Sequence, residues 1–330
     1  DTADLILYSY IRCQNKLGPR IITNDWFCSK CYMLMRKYKQ QTDSEVVSQT
    51  IASADDEEIS NIHSLCSFPE IRFQRDHDTQ SRLAVLLTKI HLDLSHEALC
   101  GIFEYESKAS VSKCIGSMCE VLKKDFIPKY LGAKNLSRSQ LLSHTPKQCR
   151  LLYDIPDDKA LIIIDGTCLY TQKSTNYRIQ KRFYSVQKGR NLVKPMMIVA
   201  PDGFIIEANG PFVGANNDAS ITQFMLNIEA DLFKLLIPGD FILVDRGFRD
   251  VVDPLKSKGY NVLMPHYLKQ ASQYTTEQAN ESRLVTKFRW TVEAKNGHLK
   301  TKYKIFNNCI SVKLLPLIPD LFRIACALEN

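Results

Sequence analysis

Three acids in this chain follow a pattern that could bind metal ions. Asp165 closes the aliphatic run 161–164 in "LIIIDGT", and Asp245 closes a second run, 242–244, in "FILVDRGF". Glu293 sits farther on, in "RWTVEAKNGHLK". A carboxylate at the end of a buried strand loses water and needs a partner. Taken singly, each acid has an ordinary explanation. An Asp-Gly after a strand makes a turn, an Asp before "RGF" caps a helix, and a Glu on a helix pairs with a surface Lys or Arg. Their order is more specific: an acid ends the first strand, an acid ends a later strand, and an acid lies on the last long helix. Three converging carboxylates repel one another. Hard divalent cations relieve that repulsion because they take oxygen ligands. Two such ions ~3.5–4 Å apart can flank a phosphodiester. Gly166 then keeps the backbone beside Asp165 open to an ion and a phosphate.

The elements that must position these acids follow from periodicity. "ALIIID", "RFYSVQ", "VKPMMIVAP" and "GFIIEANG" read as successive strands, with a turn at "PDG". "NNDASITQFMLNIEADLFKLL" reads as one helix with Ile221, Phe224, Ile228 and Leu232 on its apolar face. "DFILVD" and "YNVLMP" are further strands, separated by the short helix or turn "VVDPLKSKG". "SRLVTKFRWTVEAKNGHLKTKY" is a long helix. On it, Arg289, Glu293, Asn296 and Lys300 form a polar stripe beside Val285, Phe288, Val292, Leu299 and Tyr303. The expectation is an α/β domain over residues 158–330, a mixed sheet flanked by helices. If the strands of Asp165 and Asp245 are parallel neighbours, both acids emerge at the carboxyl edge, where open sheets bind ligands.

Residues 81–130 have a different period. Leu83, Leu86, Leu87 and Ile90 fall at helical spacing; Ser95 caps a second helix with Leu99, Ile102 and Phe103 inside; Ser107 caps a third with Val111, Ile115, Met118 and Leu122 inside. This is either a helix-turn-helix or an ordinary three-helix unit. In the first case Lys108, Ser110, Ser112 and Lys113 face the DNA. Residues 131–157 are polar and turn-rich and read as a linker. In residues 1–75, Cys28 and Cys31 form a C-x2-C pair, and His63 with Cys66 could complete a structural Zn²⁺ site. The other reading is a set of free buried cysteines.

The chain has 330 residues, a net charge of +7 and 11 Cys, an odd number that argues against a disulfide framework and for a reducing compartment. No apolar run approaches the ~18 residues of a membrane span. The start, "DTADLILYSYIRCQ", has neither the basic region nor the cleavage site of a signal peptide, and it lacks an initiator Met, as a fragment or a trimmed chain would. Positive charge is concentrated in two blocks. Residues 175–200 contain Arg178, Lys181, Arg182, Lys188, Arg190 and Lys194 and no acid; residues 121–150 contain seven Lys or Arg against Asp125. Such blocks neutralise phosphates or form a solvated face.

At this point the sequence resembles a known family, the DDE superfamily endonucleases of the PIF/Harbinger and IS5-like transposase type, which have an RNase H-like fold. The matching text is "LIIIDGT", "VQKGRNLVKPMMIVAPDGFI", "GPFVGANNDASI", "FILVDRGF" and "RWTVEAKNGHLK", from about residue 155 to the end. "LSHEALCGIFEYESKASVSKCI" is similar to the helix-turn-helix that often precedes that domain, which gives an all-α N-terminal DNA-binding domain. The resemblance implies that Asp165, Asp245 and Glu293 are the catalytic, metal-holding triad, with Asp218 as a further candidate ligand that would also suit a helix N-cap. Arg246 departs from the small residue usual in that position.

The implied activity is a Mg²⁺- or Mn²⁺-dependent nuclease and strand transferase using two ions. Its partner is double-stranded DNA, transposon ends and target site, gripped by Lys188, Arg190, Lys194 and Lys300. A homo-oligomer, an accessory DNA-binding protein and a nuclear location go with it. The rival expectations are a domesticated DNA-binding or scaffold protein that keeps the triad without using it, and an RNase H-like module with no DNA role.

Overall fold

The structure, a computed structural model, describes residues 79–267 and 273–330. The cysteine and histidine candidates Cys28, Cys31, His63 and Cys66 lie outside the described residues. Two compact units are present. Residues 79–126 with 302–305 belong to the first; residues 127–301 with 306–330 form the second.

In the first unit, helix α1 (Thr79–Leu92) packs on α3 (Lys108–Asp125) and on α2 (His96–Phe103). Ser95 Oγ accepts from Ala98 N, and Ser107 Oγ accepts from Ser110 N, so each helix start gains a partner for an otherwise orphaned donor. Glu104 ends α2 in the left-handed region with φ 56°, which turns the chain tightly into α3. Leu83, Leu86, Leu87, Ile90, Leu99, Val111, Ile115, Met118 and Leu122 are all buried. Each such aliphatic side chain contributes roughly 1.5–3 kcal/mol on leaving water. α1 is buried at every residue from 83 to 91, a wider face than the apolar stripe alone suggests.

The second unit is α/β. Its sheet has seven strands: β1 (Leu161–Gly166), β2 (Leu169–Tyr170), β3 (Tyr184–Ser185), β4 (Arg190–Val199), β5 (Ile205–Val213), β6 (Phe241–Leu243) and β7 (Asn261–Leu263). The path is β2-β4-β1-β6-β7, with β3 and β5 also paired to β4. β4 runs antiparallel to β1, whereas β1, β6 and β7 are parallel, so the sheet is mixed. Ala160, Ile162 and Ile164 join one core cluster with Met196, Ile198 and Ile242; Leu161 and Ile163, of opposite parity, are equally buried. Burial on both faces is what makes "LIII" an unbroken apolar run.

Helices flank the sheet, and four expectations change here. Residues 131–157 do not form a loose linker: α4 (Arg138–Ser143) starts with a reciprocal capping box between Ser137 and Gln140, α5 (Lys147–Tyr153) follows, and Leu141 enters the sheet's core cluster. "RFYSVQ" is strand only at residues 184–185. Before it lies α6 (Tyr177–Phe183), because Asn176 Oδ1 accepts from the amides of Arg178 and Ile179 and starts a helix there. The helix after β5 is two pieces, α7 (Asp218–Asn227) and α8 (Asp231–Leu235), broken where Glu229 takes φ 48°. Its apolar face is rotated accordingly. Ala219, Ile221, Met225 and Leu226 are buried, while Phe224 and Ile228 are exposed. Beyond β6, a 3-10 turn (Arg246–Val251) and α9 (Val252–Ser257) lead to β7; α10 (Thr276–Lys302) and α11 (Ile318–Leu328) complete the unit.

Candidate active site

Parallel pairing sets the site. Ile163 of β1 lies opposite Leu243 of β6, so two residues farther along Asp165 and Asp245 reach the same carboxyl edge. β6 stops at Leu243, and Asp245 becomes the N-cap of the 3-10 turn, its Oδ1 accepting from Arg246 N. A capping role and a place at the sheet edge therefore coincide in one residue. The third acid comes from α10, whose buried residues Val285, Val292, Asn296 and Leu299 seat the helix. Asn296 donates from Nδ2 to Asp165 Oδ2 at 3.1 Å, which ties helix to strand.

Asp218 also reaches this edge. Asn217, and not Asp218, is the N-cap of α7, with Oδ1 accepting from Ser220 N at 2.7 Å. Asp218 is the first helical residue and its carboxylate points elsewhere. A Cβ placed on Gly166 would stand 2.8 Å from Asp218 Oδ1, and one on Gly247 would stand 4.0 Å from Oδ2. Gly166 was expected to leave room for an ion and a phosphate; the room it leaves is filled by the Asp218 carboxylate. Lys194 holds that carboxylate in place, donating to Asn216 O at 2.9 Å and lying 3.3 Å from Asp218 Oδ1. Lys194, expected to hold a backbone phosphate, is buried, and its ammonium is taken up by Asn216 O and Asp218.

The electrostatics centre on Asp165. Burial pushes its pKa up from 3.8 to about 7; Arg289 opposes that rise, and the charges of Asp218, Asp245 and Glu293 add to it. Arg289 lies among the acids. Its Nη1 is 3.8 Å from Asp165 Oδ1 and 3.5 Å from Asp245 Oδ2, and its Nη2 donates to Glu293 Oε1 one helical turn away. Lys300, farther along the same stripe, is half-buried; loss of water lowers its pKa, while the charges of Cys168 and Asp165 raise it and Lys188 lowers it.

The donors suit a hard divalent ion. All four acids offer oxygen, and the buried Asn296 Oδ1 has no hydrogen-bond partner. Among the described residues, no three acid, His or Cys side chains close on one point as a finished metal cage. The guanidinium of Arg289 stands between three of them instead. Arg289 and Asn296 are the site residues whose roles sequence reasoning missed. Their signal was the stripe they share with Glu293, which placed them on the right face without saying what they touch.

The other candidates are spread more widely. Lys188 and Arg190 are exposed, and Arg190 lies over the Tyr170 ring at 5.3 Å. On α3, Ser112 and Lys113 are exposed, Ser110 is tied to the Ser107 cap, and Lys108 pairs with Glu97 at 2.9 Å.

No curated protein matches this chain. A family profile described as DDE superfamily endonuclease matches residues 164–330, which takes in the carboxyl end of β1, β6, α10 and all four acids. On that match the chain belongs to the DDE superfamily endonuclease family.

Proposed function

We propose that the second unit is a divalent-metal-dependent DNA nuclease and strand transferase of the transposase type. The observation that carries the reading is the gathering of Asp165, Asp245 and Glu293 around Arg289, with Asp218 beside them, at the carboxyl edge of β1 and β6. Asp165, Asp245 and Glu293 would hold Mg²⁺ or Mn²⁺, and Asp218 would serve as a further ligand. Bound ions would supply an activated water and charge neutralisation at a phosphodiester. The chain's own residues do the rest. Asn296 fixes the Asp165 carboxylate, and Lys194 fixes Asp218. Lys188, Arg190 and Lys300 attract the DNA backbone. Tyr177, Tyr184 and Val186 are exposed among Arg178, Lys181 and Arg182, so the α6 region presents aromatic and basic side chains together, the composition of a strand-tracking surface. Nicking frees a 3′-hydroxyl, which then attacks the target strand. In the first unit, α2, the turn at Glu104 and α3 form the helix-turn-helix of this proposal, with Ser112 and Lys113 toward DNA. A nuclear location follows from that substrate.

The test is nicking of supercoiled plasmid. With Mg²⁺ or Mn²⁺ the full chain is expected to relax the plasmid, and a chelator is expected to stop it. No nicking with either metal would overturn the nuclease reading.

Asn296 supplies a second measurement. It contributes no charge, yet it orients the most buried of the four site acids. Asn296→Ala is expected to lower nicking by about 10–100-fold, the usual cost of losing a group that orients a metal ligand. The circular dichroism spectrum should stay unchanged, and a loss under threefold would contradict the role.

A further inference from the structure

We propose that Arg289 is a built-in counter-cation of the carboxylate cluster, which divalent ions must displace in order to bind. This rests on the reading of those acids as a metal site.

The geometry singles out one side chain. The Arg289 guanidinium faces Asp165, Asp245 and Glu293 at once, from three different elements of the unit: β1, the turn after β6 and α10. Its side chain is 16 % exposed, so it is committed to the cluster and not to solvent. Nη2 is hydrogen-bonded to Glu293 on its own helix, while Nη1 stands 3.8 Å from Asp165 and 3.5 Å from Asp245, longer than hydrogen bonds, so that end of the guanidinium is shared between the two strand-end acids. An ion bridging these carboxylates would need the space that the guanidinium takes up.

Arginine suits this role for chemical reasons. It stays protonated at any working pH, so it cannot make way by losing its proton. A doubly charged ion beside a fixed guanidinium is repelled, and more strongly the less water lies between them. Metal binding and departure of Arg289 are therefore one event. The device keeps three acids together without a metal and makes the site weak for metal on its own. Asp218 sits outside it, paired with Lys194, and would remain in place when Arg289 leaves.

The experiment reads metal affinity in the absence of DNA, so turnover plays no part. Mn²⁺ binding to the full chain is followed by loss of the free-ion electron paramagnetic resonance signal, for wild type, Arg289→Met and Arg289→Lys. Arg289→Met is expected to bind Mn²⁺ about tenfold tighter or more, within the usual range of coupling between sites. Arg289→Lys keeps a cation and is expected to stay within about threefold of wild type, in line with a single retained charge. A residue with only a packing role would weaken binding when removed, so a gain in affinity separates the two roles. If Arg289→Met does not fold, Arg289→Gln takes its place with the same expectation. Equal or weaker binding by the neutral variant overturns the role of Arg289. No binding by any of the three proteins overturns the metal-site reading itself.

Discussion

Asp165→Asn is expected to abolish metal-dependent nicking, a loss of roughly a thousandfold or more, while making the metal-free protein more stable at neutral and alkaline pH. The two effects have one cause. Burial raises the Asp165 pKa to about 7 in the folded state, against 3.8 in the ordinary range. Between those values the folded state holds a proton that the unfolded chain has released. The contribution of Asp165 to stability is therefore most favourable below about pH 4, falls as pH rises toward 7, and carries the full penalty above 7. Asn at this position has no charge to bury and can still accept from Asn296. Its melting temperature should exceed that of wild type at pH 8, match it near pH 4, and lack that part of the pH slope. The same substitution removes a ligand oxygen with its charge, so nicking goes. An inactive variant that melts higher shows that the loss is chemical and not a folding failure. Retained nicking by a folded Asp165→Asn protein would refute the catalytic assignment.

What could be read in the sequence depended on how local the signal was. The runs before Asp165 and Asp245 announced strands because burial on both faces leaves nothing polar to interrupt them. The caps at Ser95 and Ser107 were visible because an N-cap acts within three residues. By contrast, "SRSQLLSH" looked like a linker. Its serines and Gln140 face outward or cap, while Leu141 enters the core and Arg138 reaches the buried Asp240, a partner 102 residues away. The α6 region looked like a strand because its β-formers Phe183, Tyr184 and Val186 are the noticeable residues, yet Asn176 at the helix start decides the conformation. For α7, counting from Ile221 through Phe224 to Ile228 gave a plausible face, but the sheet lies on the side of Met225 and Leu226. Periodicity identifies a helix more surely than it orients one.

The site divides the same way. The parallel register that sets Asp165 and Asp245 side by side was posed as a condition, because strand order is not written in either strand. Asp218 was open between a cap and a ligand in the sequence; in the structure Asn217 takes the cap and the Asp218 carboxylate lies beside Gly166. Lys194 stood in a basic block and so was read as a phosphate contact. Its place on β4 among buried residues, with Asp218 and the Asn216 carbonyl to satisfy it, was beyond what charge counting can show. Arg289 has Glu293 one turn away on its own helix, but Asp165 and Asp245 come from two other elements, and only tertiary structure supplies those.

Arg138→Met is expected to destabilise the second unit by about 3–5 kcal/mol, the usual cost of leaving a buried charge without its partner. Arg138 forks onto Asp240 through two hydrogen bonds of 2.6 Å, and Asp240 is fully buried. Asp240 also accepts from Ala160 N and Ile237 N, each at 2.9 Å. One carboxylate thus joins α4 to the residue before β1 and to the turn before β6, the two strands that end in Asp165 and Asp245. Without Arg138, two backbone amides must carry a full buried charge. The urea midpoint should fall with an unchanged slope, because the same surface is still exposed on unfolding. Asp240→Asn in the Arg138→Met background should restore part of the loss, since it removes the stranded charge and leaves an acceptor for one amide. A cost under about 1 kcal/mol for Arg138→Met would mean that the pair acts like an exposed one and does not anchor the strands. Because the anchor sits at the amino ends of β1 and β6 and the acids at their carboxyl ends, partial loosening should also weaken Mn²⁺ binding before the unit unfolds.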